Sequence, residues 1–250
     1  MGEDQQMNFT VDTVKEARER IRNYVTETPL LRMEALDAFL GCQVYLKLEN
    51  MQKIGAFKFR GAMNKIQKLT AEELAHGIVA ASSGNHGKAI AYGAKMKGAK
   101  ATIIMPNTAP KMKVEAIKGV NANVKVMGAE PSVLPRYSVS LEKGEPTMVP
   151  MPEVKSVADA LVSNRPGIKC FPVVRDCVDG FAAVDDTYML KAMKMLLMEG
   201  KILAEPSSCI GMGAVMQGNI SVSPEDKVCF VISGGNLGFD QLELLGGVKY

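Results

Sequence analysis

Gly55-Ala56-Phe57-Lys58-Phe59-Arg60-Gly61-Ala62, followed downstream by Ser82-Ser83-Gly84-Asn85-His86-Gly87, decides how the rest of the chain reads. In the first stretch a lysine stands between two phenylalanines. Apolar surroundings disfavour the charged ammonium, so the Lys58 pKa is expected to fall. A neutral amine is what attack on a carbonyl group requires. The chain carries 30 Lys plus Arg, and most of these must simply be solvated, so the second stretch has to add weight. It falls between a strand-like run and a helical one. Unpaired backbone N–H groups and the positive end of the helix dipole suit a carboxylate there, although a plain turn capped by Ser and Asn has the same composition.

Working outward, helix and strand signals alternate, which argues for an α/β layout with a largely parallel sheet. A first helix is expected from about Thr13, with Glu16 as its capping-box partner and Val14, Ala17, Ile21, Tyr24 and Val25 as its apolar face, ending before Pro29. Val44 to Leu48 reads as a strand and Gly61 to Leu69 as a helix after the lysine loop. Gly77–Ala81, Ala101–Met105 and Val124–Met127 read as strands, separated by helices at His86–Lys97 and Lys111–Lys118. Residues 131–152, rich in Pro, Ser and Gly, read as loop with one short helix. Met189, Ala192, Met193, Leu196 and Leu197 give a helix over Thr187–Met198 a packing face. Lys227 to Ile232 reads as a buried strand ending at Ser233-Gly234-Gly235-Asn236.

Composition removes several classes of function. At 250 residues, 47% hydrophobic and 23% charged, the chain is long enough for one large or two small domains of ordinary globular character. A net charge of +3, with both signs dispersed, gives no electrostatic case for nucleic acid. No apolar run reaches the ~20 residues of a membrane span. The acidic, polar start MGEDQQMNF is unlike a signal peptide. Cys42, Cys170, Cys177, Cys209 and Cys229 are odd in number and lack a CxxC pair, which reads as reduced thiols in a cytoplasmic protein. With only His76 and His86 available, no zinc or other metal site is expected.

Taken in order, TPLLR (28–32), VYLKLEN (44–50), GAFKFRGA, SSGNHG, IIMPNTAPKMKVEAIKG (103–119), AEP (129–131), VADAL (157–161), EGKILAEPSS (199–208) and VISGGN (231–236) resemble the pyridoxal-phosphate enzymes of the serine/threonine dehydratase and serine racemase family over nearly the whole chain. The resemblance implies an α/β fold of the tryptophan-synthase-β-like type with two interleaved three-layer domains. Residues 76–127 would form the small domain, and 1–75 with 128–250 a truncated large one. It implies pyridoxal 5'-phosphate as cofactor, a small amino-acid substrate and a homo-oligomer, commonly a dimer. Lys58 would bind the cofactor as a Schiff base and then act as base at the substrate Cα. Phe57, Asn85, Ser233 and Gly234 would contact the cofactor, with Asn85 on its phenolic oxygen and Ser233 on its pyridine nitrogen. Ser82, Ser83, Asn85 and His86 would line the substrate, and Ser83 is the acid/base on the second face in racemases. Glu205 would line the pocket, and Asp159 would be structural. Glu130 matches the first acidic ligand of a cation site in some relatives, but Arg136 stands where the second is expected, so a salt bridge replaces coordination.

The family also carries a long stretch between the segments matching Gly119 and Ala129, including the glycine-rich loop that binds the phosphate. Here Gly119-Val-Asn-Ala-Asn-Val-Lys-Val-Met-Gly128 runs directly into Ala129. The only other glycine-dense stretch, Gly211-Met212-Gly213, falls in an expected helix. A hydroxyl at Ser233 leaves the ring nitrogen largely unprotonated and favours β-elimination, that is, deamination of L-threonine or L-serine to an oxoacid and ammonia. Serine racemisation, and an inactive shortened chain without cofactor, are the alternatives.

Overall fold

The computed structural model describes residues 10–81, 84–104 and 126–249. Along the chain the helices are α1 (Val11–Ile21), α2 (Asp37–Leu40), α3 (Lys58–Ile66), α4 (Ala71–His76), α5 (Asn85–Met96), α6 (Arg136–Lys143), α7 (Phe171–Cys177), α8 (Asp186–Met198), α9 (Pro206–Met216) and α10 (Phe239–Glu243). The strands are β1 (Leu30–Arg32), β2 (Gln43–Leu48), β3 (Ile78–Ala81), β4 (Ala101–Ile104), β5 (Met127–Pro131), β6 (Gly180–Val184) and β7 (Lys227–Ile232).

Side chains on a strand point alternately to opposite faces, and β2 shows the consequence. Val44, Leu46 and Leu48 are fully buried, while Gln43, Tyr45 and Lys47 are half-buried. β2 runs antiparallel to β1 and parallel to β7, in the order β1-β2-β7. The register Leu46↔Phe230 and Leu48↔Ile232 puts the buried side chains of both parallel strands on one face. That face packs on Ala192, Met193 and Leu196 of α8 and on Cys209 and Met212 of α9. Each large aliphatic side chain sealed there contributes about 1.5–3 kcal/mol. Two further parallel pairs, β3-β4 and β5-β6, complete the described sheets. Phe59, Met63 and Ile66 of α3 pack with Ala89 and Ile90 of α5 in a second cluster, which Ile21 joins.

The sequence patterns place most elements within a few residues, and the departures have local causes. The first helix starts at Val11 because Thr10, not Thr13, is the N-cap. Thr10 and Thr13 bond each other reciprocally as a capping box, and Glu16 takes no part in it. Helix α3 begins at Lys58, so the lysine lies in the first turn of the helix and not in a loop before it. Residues 124 and 125 of the strand expected over 124–127 lie outside the described residues; the described strand continues past Met127 to Pro131 and pairs with Gly180–Val184. The helix expected over 111–118 lies outside the described residues. Gly211-Met212-Gly213 sits inside α9, where a Cβ on Gly213 would come within 3.1 Å of the Tyr188 carbonyl oxygen. Close approach of α9 to α8 therefore accounts for that glycine. Among the described residues no helix is long and apolar enough to cross a membrane.

Candidate active site

Lys58 is positioned by three segments far apart in sequence. Ile54 and Gly55 just before it both adopt left-handed backbone, with φ of 71° and 75°. For a β-branched residue this is strained, so something must hold the loop. The turn after β7 does. Phe57 N–H donates to the Ser233 carbonyl at 3.0 Å, Gly235 N–H donates to the Gly55 carbonyl at 3.1 Å, and Ala56 and Gly234 form an isolated bridge. The Asn236 side chain adds a third tie, its Nδ2 donating to the Ile54 carbonyl at 2.9 Å. The glycines are needed for space: a Cβ on Gly55 would lie 2.6 Å from Asn236 Oδ1, and one on Gly234 would lie 2.6 Å from Glu205 Oε1.

Glu205 comes from the third segment. It is the N-cap of α9 with Pro206 in the first turn, the usual place for a proline whose missing N–H costs nothing. Its side chain does not cap that helix. The carboxylate, 4% exposed, instead accepts from Asn236 N–H at 3.1 Å and from Asn85 Nδ2 at 3.3 and 3.4 Å. Asn85 opens α5, and its Oδ1 accepts from Asn236 Nδ2 at 2.8 Å. Asn236 also accepts from Lys88 Nζ at 3.1 Å. Both ends of the Asn85 amide are thereby oriented.

The electrostatics follow from this burial. Desolvation lowers the Lys58 pKa, and the Glu205 carboxylate offsets part of that effect. Desolvation raises the Glu205 pKa, against the bonds from Asn85 and Asn236 that lower it. His86 is pushed down by burial and by the Lys58 charge, which favours its neutral form. The Lys58 ammonium lies 5.3 Å from the centre of the Phe57 ring. Burial thus works against the charged form of both groups, while the opposite charge of each favours the charged form of the other.

Ser233 and Gly234 are tied to α9 as well. Ser208 Oγ lies 2.9 Å from Ser233 Oγ, donates to the Gly234 carbonyl at 2.9 Å, and accepts from Gly234 N–H at 2.8 Å. The structure thus gathers Lys58, Phe57, Asn85, Ser233 and Gly234 around one network, with His86 within electrostatic range. Ser82 and Ser83 lie outside the described residues. Sequence reasoning missed Asn236, Lys88 and Ser208. Asn236 stood in plain view in the SGGN turn, but its reach to Ile54 and Asn85 depends on folding.

Neighbouring carboxylates are explained by structure. Glu130, 1% exposed, accepts from Tyr137 N–H, Ser138 N–H and Ser138 Oγ, each at 2.7 Å, at the start of α6. Arg136 donates to the Leu161 carbonyl at 2.7 Å. Among the described residues no group of three or more His, Cys, Asp or Glu could hold a metal ion. Asp159 is exposed in a short 3-10 turn. A cavity of about 530 Å³ lies beside α3 and β3, with His86 and Lys65 in its wall. Lys58 is not in its lining, so the site is located by its polar network and not by that cavity.

The family described as pyridoxal-phosphate dependent enzyme matches residues 21–132 and 116–234. The chain belongs to this family. It is 29% identical to an L-threo-3-hydroxyaspartate ammonia-lyase of Saccharomyces cerevisiae, over 91% of this chain and 93% of that protein. It is 28% identical to a serine racemase of Arabidopsis thaliana, over 92% and 94%. The first alignment spans 308 positions, more than the 250 residues present, so part of that relative has no counterpart here. Among solved structures, a maize serine racemase superposes with a TM-score of 0.84 at 27% identity, covering 94% of this chain and 95% of that one. The fold is thus the α/β fold of pyridoxal-phosphate enzymes, and the cofactor of this family is pyridoxal phosphate. Phe57, Lys58, Asn85, Ser233 and Gly234 suit its ring. None of the described residues near Lys58 forms a glycine-rich cradle for its phosphate.

Proposed function

We propose that this protein deaminates L-threonine or L-serine with pyridoxal phosphate, releasing an oxoacid and ammonia. The observation that carries the reading is Lys58: the backbone just before it is bonded to the SGGN turn, and its amine is buried in the field of Glu205 with a lowered pKa. When bound, the cofactor supplies an electron sink for the bond to the substrate Cα. The chain's own groups do the rest. Lys58 would take the proton from Cα, a task that its lowered pKa favours. Asn85, fixed by Asn236 and Glu205, would present its amide to the ring's phenolic oxygen. Ser233 would meet the ring nitrogen with a hydroxyl in place of a carboxylate, which favours elimination. Ser82 and Ser83 would receive the substrate carboxylate, as the family resemblance implies. The same reading divides the chain into a small domain over 76–127 and a large domain from the rest, working as a dimer. It places the protein in the cytoplasm, a setting supported by five cysteines that are all free. It also assigns the positions lacking in this chain to the junction between Gly119 and Ala129.

The test is to load the purified chain with pyridoxal phosphate, remove the excess, and follow visible absorbance, ammonia and D-serine. A retained band and ammonia release that both vanish in Lys58→Ala are expected. D-serine without ammonia would replace deamination by racemisation, the activity named for the Arabidopsis relative. A well-folded chain that retains no band would refute cofactor-based catalysis altogether.

A further inference from the structure

We propose that Ser208 is a positioning residue for the Ser233 hydroxyl, and that a shift of its one proton lets Ser233 serve the cofactor's ring nitrogen in either protonation state. The inference rests on the assignment of Ser233 to that nitrogen. A serine hydroxyl has one proton and two lone pairs. Ser208 is 6% exposed, and its Oγ lies within 2.9 Å of three groups: the Gly234 carbonyl, the Gly234 N–H and Ser233 Oγ. One lone pair accepts from Gly234 N–H. What remains is one donor and one acceptor position, shared between the Gly234 carbonyl and Ser233.

Two arrangements satisfy every group. In the first, Ser208 donates to the Gly234 carbonyl and accepts from the Ser233 hydroxyl, which leaves a lone pair of Ser233 free to accept from a protonated ring nitrogen. In the second, the Ser208 proton turns to Ser233 Oγ, and Ser233 donates its own proton to an unprotonated ring nitrogen. The second arrangement would strand the Gly234 carbonyl, but Glu205 N–H also donates to it, at 3.1 Å. That second donor makes the rotation cheap, because a buried carbonyl without any partner is what costs free energy. No covalent bond is made or broken, and protons stay on their own oxygens. The placement is rigid as well. Ser208 lies in the first turn of α9 behind Pro206, and Ser233 is pinned through its carbonyl to Phe57 N–H beside Lys58. Ser208 meets the site through Ser233 Oγ and through the Gly234 backbone, and only the first of these contacts is lost with Ser233→Ala.

The test is a double-substitution cycle on the full chain with pyridoxal phosphate as ligand. Dissociation constants would be measured by absorbance for the unsubstituted protein, Ser208→Ala, Ser233→Ala and the double variant. Amide exchange of Gly234 without cofactor reports the local bonds. Ser208→Ala is expected to weaken binding about fivefold, the effect of one neutral hydrogen bond, and to speed Gly234 exchange. In the Ser233→Ala background the same substitution should change binding less than about twofold, and Ser208→Thr, which keeps the hydroxyl, should restore affinity. An equal loss in both backgrounds would make Ser208 merely structural and overturn the proposal, as would no loss in either. Failure of the unsubstituted chain to bind the cofactor would refute the proposed function and this inference together. Binding without coupling would refute only the inference.

Discussion

Lys58 and Arg60 stand two residues apart on α3, yet the fold treats the two cations in opposite ways. Arg60 meets Glu49 through two bonds, Nε to Oε2 at 2.8 Å and Nη2 to Oε1 at 2.9 Å. Thr28 Oγ1 adds a bond to the same carboxylate at 2.6 Å, and Arg60 also donates to the Thr26 carbonyl. Burial works against the Glu49 charge, but the bonds from Arg60 and Thr28 outweigh it and hold its pKa down. Lys58 has no such fork. The acid whose charge acts on it, Glu205, accepts from Asn85 and Asn236. A buried polar group with full partners is a structural tie, whereas one left under-compensated is poised to react. The contrast also explains the strained Ile54-Gly55 backbone: strain is stored beside Lys58, where the SGGN turn holds it, and not around Glu49.

The contrast breaks most sharply at Lys58 itself. Lys58→Met should abolish ammonia release and yet raise the stability of the cofactor-free protein by about 1 kcal/mol, since it removes an ill-compensated buried amine. Urea unfolding followed beside turnover would show both; loss of stability would mean that Lys58 is a structural cation like Arg60. The sign with pH is definite. A lysine pKa lowered by folding contributes stability above the unfolded value of about 10.4, and that contribution is lost as pH falls through the folded pKa. The gap between variant and unsubstituted protein should therefore be widest at neutral and acidic pH and close as pH rises towards 10.

Arg60→Ala should do the reverse, costing about 3 kcal/mol, because it strands a buried carboxylate. Glu49 has a lowered pKa, so its contribution is complete at neutral pH and is lost as pH falls below the ordinary carboxylate range. The stabilities of the two proteins, read by urea unfolding at falling pH, should converge there. A smaller change comes from Gly55→Ala, expected to cost about 1–2 kcal/mol because alanine resists the left-handed region and its Cβ would press on Asn236 Oδ1. A melting-temperature scan would read this, and an unaltered value would show that the loop is not held as described. The smallest effect is on titration alone. Glu205→Gln removes the charge that raises the Lys58 pKa, so the pH midpoint for labelling Lys58 with an amine reagent should move down. An upward move would mean that Glu205 does not act on Lys58 through its charge.

Much of this was legible without coordinates. Strand β7 occupies the Lys227–Ile232 run read from the sequence, although it is buried only at Phe230 and Ile232 and leaves Cys229 and Val231 exposed, and the α8 face buries Met189, Ala192, Met193 and Leu196 at the helical spacing that predicts it. Local pattern suffices there because burial on one face imposes a period of two or 3.6. Lys58 was also legible, because phenylalanines on either side foretell desolvation. The start of α1 was misplaced because Thr10 and Thr13 are both competent caps, and only the folded backbone chooses between them. The extension of β5 beyond Met127 was not foreseen because Gly128–Pro131 resembles a loop until its parallel partner, Gly180–Val184, lies beside it.

What the chain determined by itself is the inventory of chemistry: a lysine in apolar company, a turn suited to anions, and a hydroxyl followed by two glycines. Those properties reside in side chains and their immediate neighbours. Tertiary structure alone decided that Asn236 would span from Ile54 to Asn85, that Glu205 would turn away from its own helix, and that Ser208 would stand behind Ser233. The Asn236 contacts join residues separated by much of the chain, and Ser208 and Ser233 belong to different elements. Their geometry is set by the packing of α5 and α9 around the lysine loop, and no local pattern encodes a hydrogen bond whose two ends meet only after the core has closed.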